Sequence, residues 1–242
     1  MSSRKRPRTA VKRGQIKRVT RDRYCLPDGE RGVVAAAKLH GVASHLSAAA
    51  HWGWEIKFPP EEPQVSVRRD RKIAAERRVG VRLHWTTFSA GDVDGMVTGR
   101  LRTVVDCARD LPFDEALAVA DSALRHGDVT KEELVQAAAA VKGGGAARAR
   151  RVAACADARA ANPFESVLRA LAIDAGLNAT PQVEVVVDGK EVHPDVADRG
   201  RRIALEACAH RGASRTCTIG RNAGAGSLTQ RRAGREGPGP QK

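Results

Sequence analysis

Apolar residues recur at three- and four-residue intervals over much of 100–177, a pattern typical of amphipathic helices. In 112–127 (PFDEALAVADSALRHG), Ala116, Leu117, Ala120 and Leu124 fall on one side, and Gly127 suits the end of a helix. The same spacing predicts further helices at 103–111, 130–141, 146–160 and 162–177. The segment 162–177 carries the clearest boundaries, because Asn162 suits the N-cap, Pro163 the first turn and Gly176 the end.

The region before residue 100 shows shorter patterns. Two short helices broken at Gly41 are predicted within 32–54, with Ser44 as the N-cap of the second. Strands are predicted near 54–58, 64–68 and 80–86, and the last two alternate clearly. Residues 8–27 combine outward basic and inward apolar positions, which predicts a small basic β-hairpin.

Strand-like alternation returns near the C-terminus. Residues 181–198 predict a hairpin, because Val183, Val185 and Val187 alternate and Asp-Gly at 188–189 is typical of a type I′ turn. Residues 201–207 predict a third strand. From Cys208 onward no apolar period continues, so a disordered or loosely attached basic tail is expected.

Charge separates the ends of the chain from its body. The formal net charge of +14 comes from +9 in residues 1–23 and +6 in 208–242, which leaves −1 between them. Basic ends favour a polyanionic partner such as nucleic acid, although solvated tails would have the same composition. The five cysteines form no Cys-x-x-Cys pair, and neither a membrane span nor a signal peptide is found, so a cytoplasmic protein with no membrane partner is expected.

Three carboxylates are candidates for metal chemistry: Glu165 on the helix, Asp195 on the second hairpin strand and Glu206 on the third strand. Clustered carboxylates bind Mg²⁺, which activates water for phosphodiester hydrolysis. Each has an alternative role, since Glu165 suits a capping box, Asp195 an exposed strand edge, and Glu206 an ion pair with Arg201 or Arg202. Asp198 is expected in a turn. His45 and His51 lie six residues apart on a short helix and do not share a face, so no metal site is predicted there.

The segments NPFESVLR, PQVEVVVDGKEVHPDVAD and RRIALEA resemble the core of the very-short-patch-repair-like endonuclease domain, of the PD-(D/E)XK (restriction-endonuclease-like) superfamily, found in actinobacterial proteins. Upstream, VKRGQIKRVTRDRYCLP resembles the wing of the winged helix-turn-helix in AbiEi-type antitoxins of toxin–antitoxin systems. The resemblance spans about 11–207. It implies that Glu165, Asp195 and Glu206 are catalytic, with Asp195 and Glu206 holding Mg²⁺.

Two departures limit what the resemblance implies. Cys208 stands where the family has Lys or Asp after Glu206, and a thiol is a poor Mg²⁺ ligand, so hydrolysis is expected to be impaired. A reading-frame shift near 207 would produce such a tail. Only ten residues precede the wing, so the recognition helix is missing or a stub. DNA contacts are then expected from the wing and arm, at Lys12, Arg13, Lys17, Arg18, Arg21 and Arg23.

The expected fold is therefore α+β in four parts. They are a basic arm and winged-helix-like region (1–58), a strand pair and helical middle (59–158), a partial endonuclease-like core of one helix and a three-stranded meander (159–207), and the disordered tail (208–242). The expected function is DNA-associated and endonuclease-like. The alternative is an antitoxin-type regulator that binds DNA without catalysis, with a cognate toxin of unknown identity and a homodimer as further expected partners.

Overall fold

A computed structural model of the chain describes residues 5–21, 23–187, 190–208 and 215–219. Its helices are α1 (Lys5–Lys12), α2 (Arg31–Leu39), α3 (His45–His51), α4 (Arg100–Asp110), α5 (Phe113–Arg125), α6 (Lys131–Ala140), α7 (Ala146–Cys155) and α8 (Pro163–Asp174). Its strands are β1 (Lys17–Thr20), β2 (Arg23–Cys25), β3 (Val42–Ala43), β4 (Gln64–Arg68), β5 (Arg82–Thr86), β6 (Val93–Asp94), β7 (Val97–Thr98), β8 (Thr180–Pro181), β9 (Val185–Val187), β10 (Lys190–Val192), β11 (Val196–Asp198), β12 (Ile203–Cys208) and β13 (Arg215–Ile219). The coarse α+β class is confirmed.

Five of these strands form one mixed sheet, in the order β5-β4-β3-β7-β6. Helix α2 packs its alanine-rich face on this sheet, where Ala36, Val65 and Val67 are completely buried. A side chain at Gly41 would come within 2.6 Å of the Ser66 carbonyl oxygen, so glycine permits this close approach. Because β3 and β4 pair, the five-stranded sheet extends across the predicted boundary between 58 and 59. The two-residue strand β3 is too short to show a pattern in the sequence.

A layer of helices, α4 to α8, carries the second core. Val104, Leu117, Leu134 and Val152 are at most 1% exposed there, and Ala170 of α8 joins the same cluster. The predicted helices are confirmed, although α4 begins at Arg100 and α7 ends at Cys155. The predicted strand near 54–58 is wrong. The Trp54 indole donates to Asp128, and the Glu55 N–H donates to Ser122 Oγ on α5, so this segment packs against helices.

A four-stranded antiparallel sheet, ordered β13-β12-β11-β8, follows α8. The predicted hairpin is confirmed: β8 and β9 pair with β11 and β10 in one continuous register, and its Asp-Gly turn lies outside the described residues. The predicted third strand is confirmed as β12. The prediction of a patternless tail is wrong for Arg215–Ile219, which pairs with β12 as β13. The β-branched residues of RTCTI favour a strand once β12 offers an unpaired edge.

The N-terminal hairpin is confirmed as β1 and β2, with an irregular register before Thr20. Residues 8–12 are helical in α1 instead of extended, so the predicted hairpin starts too early. Ser44 precedes α3 as predicted, but its side chain makes no capping hydrogen bond. No helix in the described part of the chain combines the length and apolar character needed to cross a membrane.

Candidate functional site

The pairing of β8, β11 and β12 brings Gln182, Asp195 and Glu206 into one row across the sheet. Val196 pairs with both Pro181 and Leu205, so the residues one step away, at 182, 195 and 206, continue the same register. The Gln182 N–H donates to the Asp195 carbonyl at 3.2 Å, and the Ala207 N–H donates to Asp195 Oδ2 at 2.7 Å. Asp195 and Glu206 are therefore direct cross-strand neighbours, although Asp195 lies just before β11 rather than inside it.

Glu165 approaches this row from the N-terminus of α8. Its side chain is 4% exposed and accepts hydrogen bonds from the Ala161 N–H at 2.8 Å, Asn162 Nδ2 at 2.7 Å and Gln182 Nε2 at 3.1 Å. Asn162 caps the helix by accepting from the N–H groups of Phe164 and Glu165, as predicted. Glu165 thus forms a capping hydrogen bond, but it accepts from the N–H of Ala161 and not from the N–H of the N-cap residue Asn162. Gln182 links Glu165 to the carboxylate row.

The three carboxylates influence one another electrostatically. Burial raises the pKa of the Glu206 carboxyl, the hydrogen-bonded charge of Asp195 raises it further, and Glu165 adds a smaller effect. Among the described residues, no lysine, arginine or histidine forms an ion pair with any of the three. A proton or a cation is therefore the natural partner of this carboxylate cluster, defined as Glu165, Asp195 and Glu206.

The donor atoms of the cluster fit Mg²⁺, which prefers carboxylate oxygens and keeps several waters. Asp195 and Glu206 fit best, because the oxygens of Glu165 already accept three hydrogen bonds. Within the described residues, the carboxylate cluster does not bring three ligand atoms within 4.8 Å of one another, whereas His45–His84–Asp110 and Glu184–Glu191–His193 do. Asp195 and Glu206 would hold the ion, and Glu165 would add charge beside it.

The prediction that Asp198 is a turn residue is wrong: it ends β11 and pairs with Ile203, and its side chain accepts hydrogen bonds from the turn that follows. Its carboxylate is 5% exposed and accepts from the Asn178 and Arg201 N–H groups, both at 2.9 Å. These hydrogen bonds lower the pKa of Asp198. Arg201 lies 4.0 Å from Asp198, and no ion pair among the described residues joins Arg201 to Glu206.

Gln182 is a site residue that the sequence did not indicate. Its φ of 49° lies in the left-handed region, which is uncommon outside glycine and occurs at strained functional positions. It also lines a cavity of about 390 Å³ together with Arg159 and Arg199. An isolated glutamine after a proline carries no sequence pattern that would single it out.

The six predicted DNA contacts divide into two groups. Lys12, Arg13 and Arg21 are exposed and form no ion pair among the described residues. The others hold the hairpin: Lys17 Nζ donates to the Pro27 carbonyl, Arg18 to the carbonyls of Thr20 and Arg21, and Arg23 to Met96 Sδ. Only the first group has side chains free of such local bonds.

Comparison with known proteins places the chain beside two proteins of Mycobacterium tuberculosis. They are "Uncharacterized protein MT2308" of strain CDC 1551 / Oshkosh and "Uncharacterized protein Rv2248" of strain ATCC 25618 / H37Rv, each 31% identical over 194 residues. The match covers 74% of this chain and 67% of each relative. The chain belongs to the family of these two proteins. No protein-family model matches it, and no solved structure matches it. The names of the mycobacterial relatives state no activity.

Proposed function

We propose that this protein binds DNA and that its carboxylate cluster is a Mg²⁺-dependent site for phosphodiester hydrolysis, of the very-short-patch-repair-like endonuclease type. The observation that carries the proposal is the cross-strand pair of Asp195 and Glu206, with buried Glu165 beside it and no basic partner among the described residues. Such an uncompensated acid pair suits a divalent cation.

Each residue around the site has a distinct part in this proposal. A bound Mg²⁺ would polarise the phosphodiester and lower the pKa of a water. Asp195 and Glu206 hold the ion, while Glu165 and Gln182 fix the position of α8 against the row through their 3.1 Å hydrogen bond. Arg159 and Arg199 line the adjoining cavity and supply guanidinium groups that suit DNA phosphates.

Cys208 limits turnover in this proposal. It ends β12 two residues after Glu206, where the family that the sequence resembles carries Lys or Asp. A thiol supplies neither the positive charge of lysine nor an oxygen ligand for Mg²⁺. Hydrolysis is therefore expected to be slow rather than absent, and Cys208→Lys is expected to accelerate it.

A plasmid-nicking assay with Mg²⁺ or Mn²⁺ tests the proposal on the full chain. We expect weak nicking by the native protein, loss with Asp195→Ala and faster nicking with Cys208→Lys. Asp174→Asn serves as the control, because this acid is exposed on the same helix as Glu165 and pairs with Arg151. Nicking that survives Asp195→Ala, or its absence from the native chain and from Cys208→Lys at every metal concentration, would refute hydrolysis.

A second candidate is an antitoxin-type regulator that binds DNA without cleaving it. The observation that favours it is the basic unit formed by α1, β1 and β2, which we take as a reduced winged helix. Lys12 and Arg13 are exposed on this unit, whereas residues 24–207 have a net charge near zero. Such side chains would contact phosphates, giving binding that is salt-sensitive and weakly sequence-selective. This function requires no intact metal site, so it survives failure of the nicking assay.

Salt-dependent DNA binding tests the basic unit. Lys12→Ala with Arg13→Ala should weaken binding and reduce the slope of log Kobs against log salt by about 1–2, since each lost phosphate contact contributes roughly 0.9. These residues are preferred to Lys17 and Arg18, whose bonds to main-chain carbonyls maintain the hairpin. Arg148→Ala with Arg150→Ala removes the same charge from exposed positions on α7. Equal effects of the two double variants would show that net charge alone, and not the basic unit, controls binding.

A further inference from the structure

Three potential metal ligands from distant parts of the sequence meet beside the five-stranded sheet. They are His45 at the start of α3, His84 on the edge strand β5 and Asp110 at the end of α4, and their ligand atoms all lie within 4.8 Å of one another. The His45 side chain is 2% exposed, whereas that of Asp110 is 41% exposed. His45 is thus shielded from solvent, and the group of three residues is accessible to solvent at Asp110.

The hydrogen bonds of His45 orient its ring toward the other two groups. Nε2 lies 3.1 Å from Asp110 Oδ2, and Nδ1 lies 3.0 Å from Ser44 Oγ. The His45 and His84 rings stack with centroids 3.7 Å apart and planes 20° from parallel, so one ring must rotate for both to direct a nitrogen at a single ion. His45 also has a φ of 51°, an uncommon conformation for a residue with a side chain. Ser44, which forms no helix cap, instead fixes the ring of His45.

His84 has an unsatisfied polar atom at this point. Among the described residues, its Nε2 has no hydrogen-bond partner and is buried, and so is Oγ of Ser66, the register neighbour of His84 on β4. Buried polar atoms without partners are rare and mark strain, function or a missing ion. Burial lowers the pKa of His84 to about 4, with smaller contributions from His45 and Arg82 that outweigh the opposite effect of Asp110.

We propose that His45, His84 and Asp110 bind a divalent transition-metal ion of the Zn²⁺ class, leaving one coordination position open to solvent beside Asp110. Two imidazole nitrogens and one carboxylate suit Zn²⁺, Co²⁺ or Ni²⁺, whereas Mg²⁺ prefers oxygen ligands only. Three protein ligands with a free fourth position are typical of zinc sites that bind water or a substrate.

The proton balance of this site is simple. When the His45 ring carries a proton on Nε2 alone, it donates to Asp110 and accepts from the Ser44 hydroxyl at Nδ1. With metal on Nε2, the proton moves to Nδ1 and is donated to Ser44 Oγ, so no proton need leave the ring. A ligand histidine commonly donates its second N–H to a neighbouring acceptor. An ordinary His–Asp pair would explain the position of His45 and Asp110 but not the orphan nitrogen of His84.

Co²⁺ titration of the full-length protein, followed by its visible spectrum and by displacement with Zn²⁺, tests the proposal without DNA or enzymatic activity. We expect one ion bound through nitrogen and oxygen ligands, recognised by its d–d bands and the absence of thiolate charge-transfer bands, whereas an ion held by Asp195 and Glu206 would have oxygen ligands only. Asp110→Asn and His84→Gln should each lower Zn²⁺ affinity by about tenfold or more. Because the Asp110 side chain is exposed, Asp110→Asn should fold like the native protein, and circular dichroism tests this.

Two controls separate this site from other binding positions. His193→Ala disrupts the exposed Glu184–Glu191–His193 group, and His51→Ala removes a surface histidine that pairs with Glu30. Both should leave Zn²⁺ affinity unchanged. The proposal is overturned by an absence of binding, by thiolate bands, by equal affinity in Asp110→Asn and His84→Gln, or by loss confined to His193→Ala.

Discussion

Acidic side chains contact different partners in two regions of this molecule. In the helical layer two buried acids have an arginine: Asp121, 0% exposed, binds Arg169 through contacts of 2.7 and 2.5 Å, and Asp106 binds Arg102 at 2.8 and 2.9 Å. At the C-terminal sheet, the carboxylate cluster has only N–H and amide donors among the described residues. Asp121 and Asp106 are buried beside a compensating charge, whereas Asp195 and Glu206 are partly buried and have none among the described residues.

The difference separates the acids that packing explains from those that we propose to be functional. Burying an acid beside an arginine limits the desolvation cost, and the pair then fixes how α5, α7 and α8 meet, since Arg169 also donates to the Cys155 carbonyl. Holding Asp195 next to Glu206 gives no such benefit, because the two charges repel until a proton or a cation arrives. Packing alone does not account for the carboxylate cluster, whereas it accounts for Asp121 and Asp106.

The largest expected effect comes from breaking the buried pair. Arg169→Met leaves Asp121 without its cation in the core, so the free energy of unfolding should fall by about 3–5 kcal/mol. Urea denaturation measures this change. Adding Asp121→Leu removes the stranded charge and should recover part of the loss, although the Asp157 N–H then loses its acceptor.

The exposed ion pair between Arg151 on α7 and Asp174 on α8 provides the matched comparison. Arg151 and Asp174 have side chains 45% and 52% exposed, so Asp174→Asn should change stability by at most about 1 kcal/mol. Arg151 itself is less suitable, because its guanidinium also lies over the Phe113 ring at 3.8 Å. A loss in Asp174→Asn as large as that in Arg169→Met would mean that burial does not distinguish the two pairs.

Local sequence signals were sufficient for most of the helices. Asn162, Pro163 and Glu165 predicted the start of α8, and the Thr130–Glu133 capping box at the start of α6 is a signal of the same kind. These features act within one turn of helix, so they can be recognised without knowledge of the fold. The Val alternation before Asp-Gly predicted the hairpin for the same reason.

Features that depend on distant partners could not be predicted in this way. Gln182 joins the site through its position across from Asp195, and β13 forms because β12 offers an edge. In the sequence, the histidine that shares a helix with His45 is His51. In the structure, the neighbours of His45 are His84 and Asp110, contributed by β5 and α4. The sequence named Glu165, Asp195 and Glu206 as candidates, but their proximity depends on sheet register.

A smaller effect of opposite sign is expected at the carboxylate cluster. Because the pKa of Glu206 is raised in the folded state, that state retains the proton to higher pH than the unfolded chain does. The free energy of unfolding should therefore fall as pH rises from about 4.5 through the folded-state pKa. Glu206→Gln removes this fall, and without metal at neutral pH it should stabilise the protein by about 0.5–2 kcal/mol.

Thermal unfolding of both proteins between pH 4 and 8, in the presence of a chelator, measures this prediction. Native and variant curves should converge toward acid pH, where Glu206 is protonated in both states, and separate toward neutral pH. Added Mg²⁺ should raise the Tm of the native protein more than that of Glu206→Gln, because the cation offsets a repulsion that the variant lacks. If Glu206→Gln were instead destabilised at neutral pH to the extent expected of Arg169→Met, Glu206 would be a compensated structural acid, and the contrast between the two regions would fail.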